Sequence, residues 1–174
     1  MKKSINLWAL VGFAVTSFLG TILHFLYDWL GKASIIAPFS SVNESTWEHM
    51  KLLYWPTFIF AIVQGIYFKE RNDFWCVKLK SMLLGLSLIP FLFYTYNGAI
   101  GKSPDWINIV IFFVSAGISY LYEARQFQKE DSSCKYPKIA IFFLSLIGSL
   151  FIIFTFFPIK LPLFQDPISG AYGI

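Results

Sequence analysis

The side chains able to do chemistry in this chain gather in two short stretches. Asn43-Glu44-Ser45-Thr46-Trp47-Glu48-His49-Met50-Lys51 brings two carboxylates, an imidazole and an ammonium together, and His24 and Asp28 stand four residues apart upstream. Residues three or four apart share a helix face, so Ser17, Thr21, His24 and Asp28 form one stripe. His24 and Asp28 at that spacing suit a single divalent metal ion such as zinc, with His49 or Glu48 completing the set. Glu44, Glu48 and His49 suit general acid–base catalysis, because a carboxyl taken out of water holds its proton into the range where such catalysis works. Asn43, Trp47, Asn97 and Asp105 are expected to bind substrate beside them.

Plainer readings compete. His24 and Asp28 can pair with each other and cap a packed helix. Ser41-x-x-Glu44 and Ser45-x-x-Glu48 both fit the capping box, in which Ser and Glu satisfy backbone donors reciprocally. Only one of them can cap a given helix start, so at least one glutamate is left over. Glu44, Glu48 and Lys51 share a stripe, and like charges one turn apart repel unless a cation or a proton intervenes. Lys51 could supply that cation as an ordinary solvated ion pair. The chain has no His-Glu-x-x-His or Glu-x-x-His motif, and no Ser-His-Asp arrangement can be read from spacing.

The elements that must position these residues follow from composition. Of 174 residues, 56% are hydrophobic and 14% charged, against roughly 25% charged in a soluble domain. This excludes a soluble enzyme, a disordered tail and a nucleic-acid-binding domain. A membrane-crossing helix needs about 20 mostly apolar residues. Five stretches qualify: Leu7–Tyr27, Leu52–Phe68, Met82–Ile100, Trp106–Tyr122 and Ile139–Phe157. The first is longer than a signal peptide's apolar core and lacks a small-x-small cleavage pattern, so it is expected to be retained. The predicted fold is a single all-α, polytopic membrane bundle.

Lys and Arg counting orients it. Lys2, Lys3, Lys69, Arg71, Lys78, Lys80, Arg125, Lys129, Lys135 and Lys138 fall on one side, against Lys32, Lys51, Lys102 and Lys160 on the other. Ten against four puts the N-terminus in the cytoplasm and the C-terminus outside. Cys76 and Cys134 then lie in cytoplasmic loops and are expected to be unpaired thiols. Glu70, Asp73, Glu123, Glu130 and Asp131 read as solvated charges on that side, whereas His24, Asp28, Glu44, Glu48, His49, Asn97, Asp105 and Asn108 cluster at the outer ends of the spans. Gly12, Thr16 and Gly20 form a small-residue stripe that allows close helix approach. Pro56 is expected to kink or break the second span. Residues 31–42 should lie in or dip into the interface, and the apolar tail Pro158–Ile174 should pack over the outer helix ends.

His24-x-x-x-Asp28 with Phe39–Lys51, together with the ending Leu161-Pro162-Leu163-Phe164-Gln165-Asp166-Pro167-x-x-Gly170-x-Tyr172-Gly173, resembles a family of small, polytopic bacterial membrane proteins of unknown function. The most specific part of the likeness is Asn-Glu-Ser-x-Trp-Glu-His. It implies a multi-pass protein of the bacterial cytoplasmic membrane and brings no activity. Three classes of function fit the residues. The first is an outer-leaflet enzyme working on a lipid or lipid-linked substrate, with or without metal. The second is a cation- or proton-coupled carrier or binding protein. The third is a non-catalytic component whose polar cluster serves packing or partner docking. A haem held by His24 and His49 is a further reading. The expected partners are the lipid bilayer and a second copy or another membrane protein, with no nucleic acid.

Overall fold

The computed structural model describes residues 2–129 and 134–174. They form α1 (Lys2–Trp29), α2 (Thr46–Tyr67), α3 (Phe74–Ala99), α4 (Asp105–Phe127), α5 (Pro137–Phe156) and a 3-10 turn at Pro162–Phe164. The protein is all-helical, and α1, α3, α4 and α5 are long and apolar enough to cross a membrane. That is compatible with a membrane protein. Helix α2 is long enough at 22 residues, about 33 Å at 1.5 Å per residue, but Glu48, His49, Lys51 and Gln64 lower its apolarity. It touches every other helix, and its polar side chains are covered by them.

The helices run further than apolarity alone predicts. Helix α3 begins at Phe74, eight residues before Met82, and α4 continues to Phe127, five beyond Tyr122. The reason is a buried ion pair. Lys78 Nζ lies 2.6 Å from Glu123 Oε2, with the two side chains 0% and 1% exposed. Gln64 Nε2 donates to the other carboxylate oxygen at 2.9 Å, and the Lys78 ammonium faces the rings of Phe60, Phe74 and Tyr120. Lys78 and Glu123 are therefore core residues rather than solvated loop charges. Asp73 is also buried, paired with Arg71 at 2.8 Å. Glu70 is exposed, as expected, while Glu130 and Asp131 lie outside the described residues.

One further expectation is narrowed and another corrected. Helix α2 passes through Pro56 without a break. Proline removes the donor for the Leu52 carbonyl, and that carbonyl faces Gly20, whose missing Cβ would lie 3.0 Å from it. Cys76 and Cys134 are joined as a disulfide rather than standing as separate thiols. They are 58 residues apart in sequence, and the packing of α3 against α5 brings the start of α3 beside the residues preceding α5.

The small-residue stripe of α1 packs inward. Gly12 meets Tyr120 and Phe60, and the Thr16 hydroxyl lies 2.8 Å from that of Tyr120 and 3.3 Å from that of Thr57. On α5, Gly148 leaves room for Tyr54, whose hydroxyl donates to Leu144 O at 2.6 Å. A Cβ at Gly148 would fall 2.8 Å from that hydroxyl. Gly148→Ala should therefore lower stability by about 1–3 kcal/mol, the range for overpacking. Adding Tyr54→Phe should recover part of the loss. Thermal unfolding of the detergent-solubilised variants checks both.

Candidate functional site

The site is built on the segment between α1 and α2. This segment folds back because its polar groups find partners on the helices. The Ser40 hydroxyl inserts into the last turns of α1, accepting from Tyr27 N at 2.9 Å and donating to Leu23 O. Pro38 O accepts from the Trp55 indole at 2.9 Å, and Ala37 is fully buried. Ile35 remains 80% exposed, so the segment dips in along one side only.

Lys51 holds the segment from below. Its ammonium is 2.6 Å from Glu48 Oε2 and donates at 2.8 Å to both Ala37 O and Thr155 Oγ1. The same Glu48 oxygen accepts from Val42 N at 3.0 Å. With both side chains at 2% exposure or less, this is a closed, desolvated pair, not a solvated stripe. Ser45 is the N-cap of α2 and its side chain accepts from Glu48 N, but Asn43 Oδ1 takes the Ser45 backbone donor at 2.9 Å. Only half of the capping box forms, because the Glu48 carboxylate is committed to Lys51 and Val42.

Glu44 is the glutamate left over. Its carboxylate lies 3.6 Å from His24 Nε2 and 3.5 Å from His49 Nε2, and one ligand atom from each of the three lies within 4.8 Å of the others. These separations exceed the 2.7–3.2 Å of N–H···O hydrogen bonds. Two ligands at zinc's usual 2.0–2.1 Å, at a tetrahedral angle, would stand about 3.3 Å apart. The donor set therefore fits a shared ion after small adjustment. His49 Nδ1 lies 2.9 Å from Ser45 O. A carbonyl can only accept, so Nδ1 carries a proton; in the neutral imidazole this turns the Nε2 lone pair toward the cluster, as second partners of ligating histidines ordinarily arrange.

Beside the cluster is a cavity of about 470 Å³ between α1 and α4. Among the described residues its polar lining, besides the three cluster residues, is Thr21 and Asn108, while Phe25, Leu52, Ile109, Phe112, Phe113 and Ile168 make the rest largely apolar. Phe25 and Ile109, on α1 and α4, are 46% and 56% exposed.

The other residues singled out from sequence lie elsewhere. Asp28 is exposed near the end of α1, outside the three-residue group. Asn43 Nδ2 donates to Gly173 O at 3.0 Å, pinning the tail. Trp47 packs on Phe151 and Phe164 as part of the core. Asn97 bonds to Phe93 O and to Ser103. Asp105 opens α4, and its side chain lies outside the described part of the structure. The tail does pack over this end of the bundle, with Phe164 buried and Gly173 at φ +63°, where a Cβ would sit 2.9 Å from Thr155 O. Sequence reasoning did not assign a role to Asn108, nor to Gln64, Lys78 and Glu123 as a set. A glutamine inside an apolar run was the available signal for the second group.

The fold and site define a helical bundle with a His/carboxylate cluster at one end. A model of the family of unknown function DUF6512 matches residues 1–174, and the chain belongs to that family. No curated protein and no solved structure matches it.

The geometry makes the Lys51 pair a stability determinant. Lys51→Met strands the Glu48 carboxylate in the core and should cost about 3–5 kcal/mol, the range for breaking a buried pair. The double variant Glu48→Leu with Lys51→Met should recover most of that loss, as thermal unfolding in detergent will show.

Proposed function

We propose that the protein is a metal-dependent enzyme of the bacterial cytoplasmic membrane, acting on a lipid or lipid-linked substrate at the outer leaflet. The observation that carries this reading is the convergence of His24, Glu44 and His49 beside an apolar cavity, at separations suited to a shared ion. Two imidazoles and one carboxylate form the ligand type of catalytic zinc sites that keep one position open. A bound Zn²⁺ supplies Lewis acidity, acidifying a water molecule and polarising a carbonyl or phosphoryl oxygen. The chain's own residues do the rest. The Ser45 carbonyl fixes the His49 tautomer, the Ser40 and Lys51 contacts hold the Glu44 segment in place, and the aromatic walls of the cavity exclude water and accept an apolar chain. Phe25 and Ile109, exposed on adjoining helices, form a lateral mouth through which a lipid chain reaches the site.

In this reading the chain crosses the membrane five times, α2 included, because the polar groups of α2 face its neighbours rather than lipid. With the buried Lys51 and Lys78 set aside, nine basic residues stand at one end of the bundle against three at the other. This supports an N-terminus inside, a C-terminus outside and the His/Glu cluster at the outer face. In this orientation the Cys76–Cys134 disulfide lies at the cytoplasmic end of the bundle.

Zinc titration by calorimetry, on protein purified without chelators, tests the reading. One ion per chain is expected. His24→Ala, Glu44→Ala and His49→Ala should each weaken binding by more than the roughly 10- to 100-fold that loss of a supporting second partner costs. Asp28→Ala should bind as the parent does. A parent that takes up no zinc, or an Asp28→Ala variant as impaired as His24→Ala, would sink it.

A further inference from the structure

Asn108 is the one amide side chain among the described residues lining the cavity, and a chain of hydrogen bonds through Asn97 and Ser103 engages its carbonyl end. Asn97 Oδ1 accepts from Ser103 N at 2.9 Å, and Asn97 Nδ2 donates to Phe93 O at 2.8 Å. A backbone N–H can only donate and a carbonyl only accept, so the Asn97 amide has a single possible orientation. Its second N–H points to Ser103 Oγ at 3.3 Å. The Ser103 hydroxyl, which also has a proton to donate, gives it to Asn108 Oδ1 at 3.0 Å. Ser103 is itself only 8% exposed, so the relay is shielded. The acceptor end of Asn108 is thereby occupied, and the end free to face the cavity is its NH₂, a donor.

We infer that Asn108 is a substrate-binding residue of this site: its amide donates to an oxygen on the carbonyl or phosphoryl centre of an amphiphile whose apolar chain lies between α1 and α4. The inference rests on the metal reading above and adds the class of reacting group. A donor fixed before the substrate arrives, aimed where negative charge gathers on an oxygen, contributes most in a water-poor cavity. The cavity offers two features that can receive an anionic or polarised oxygen, the open position of an ion on His24, Glu44 and His49 and the Asn108 amide. Such a pair is matched to an ester, amide or phosphoester head and leaves the aromatic walls for the chain. Asn97, two bonds back in the relay, is a positioning residue.

Acetohydroxamic acid, which has a metal-binding oxygen head and no chain to partition into micelles, serves as the probe. Its binding to the zinc-loaded, detergent-solubilised protein is measured by calorimetry after the zinc affinity of each variant has been established. Asn108→Ala should bind zinc as the parent does and the hydroxamate about 10- to 100-fold more weakly, the effect of one lost hydrogen bond to a charged group. Ser103→Ala should weaken the hydroxamate less, and adding it to Asn108→Ala should cause no further loss, since both act through one amide. Parent-like hydroxamate binding by Asn108→Ala would overturn the inference while leaving the metal site standing. Loss of zinc itself in Asn108→Ala would also overturn it, by making the residue structural. A parent that binds no zinc would remove the metal reading and this inference together.

Discussion

The ion pair between Lys51 and Glu48 is the constraint on which the functional end of the molecule depends. A primary ammonium has three donors, and here they are divided among a carboxylate on the same helix, a carbonyl of the inter-helix segment and a hydroxyl on α5. The carboxylate, in turn, receives the backbone of Val42. One desolvated pair thus joins α2, α5 and both halves of the segment that carries Glu44. Taking two charges out of water is unfavourable unless every remaining donor and lone pair finds a partner, and the segment supplies those partners. Its path, and so the position of Glu44 against His24 and His49, is a condition of burying Lys51.

A second pair, Lys78 with Glu123, does the corresponding work at the other end. There the third partner is Gln64 of α2, and the aromatic rings around the ammonium add cation–π attraction. Both pairs involve residues that α2 contacts or contributes. The bundle is therefore polar along its central helix and apolar around its rim, with Phe91, Phe142 and Ile153 among the large side chains left exposed on α3 and α5. Because ionic groups attract most strongly where water is absent, these two clamps fix the register of the surrounding helices more sharply than aliphatic packing alone would.

The sequence carried the number and order of the helices, because long apolar runs separated by charge or turn residues leave little choice. It also carried the small-residue stripe of α1 and the packing of the tail. What it could not carry was pairing in space. Glu44 and Glu48 have the same chemistry and similar spacing to Ser, and only the position of Lys51 beneath Ala37 decides which is consumed structurally. Asp28 is as well spaced from His24 as a ligand should be, yet Glu44 reaches the histidine from a different element. Lys78 and Glu123 looked like loop charges because each lies at the edge of an apolar run. Their burial depends on facing each other across α3 and α4, which no local pattern records. Asn97 matched the expected chemistry of a binding residue, but its hydrogen bonds are spent on Phe93 and Ser103.

The polarity of α2 has a consequence for how such a chain is assembled. A helix placed by itself in hydrocarbon exposes every side chain to it, and each ionised or amide group there is costly at the moment of insertion. Helix α2 has Glu48 and Lys51 near one end and Gln64 near the other, and their partners Thr155 and Glu123 are synthesised later. In the five-span reading proposed above, α2 therefore waits, shielded by α1 or by the insertion machinery, until α4 and α5 emerge. The order of the chain makes the most polar helix the earliest to need company and the last to have all of it.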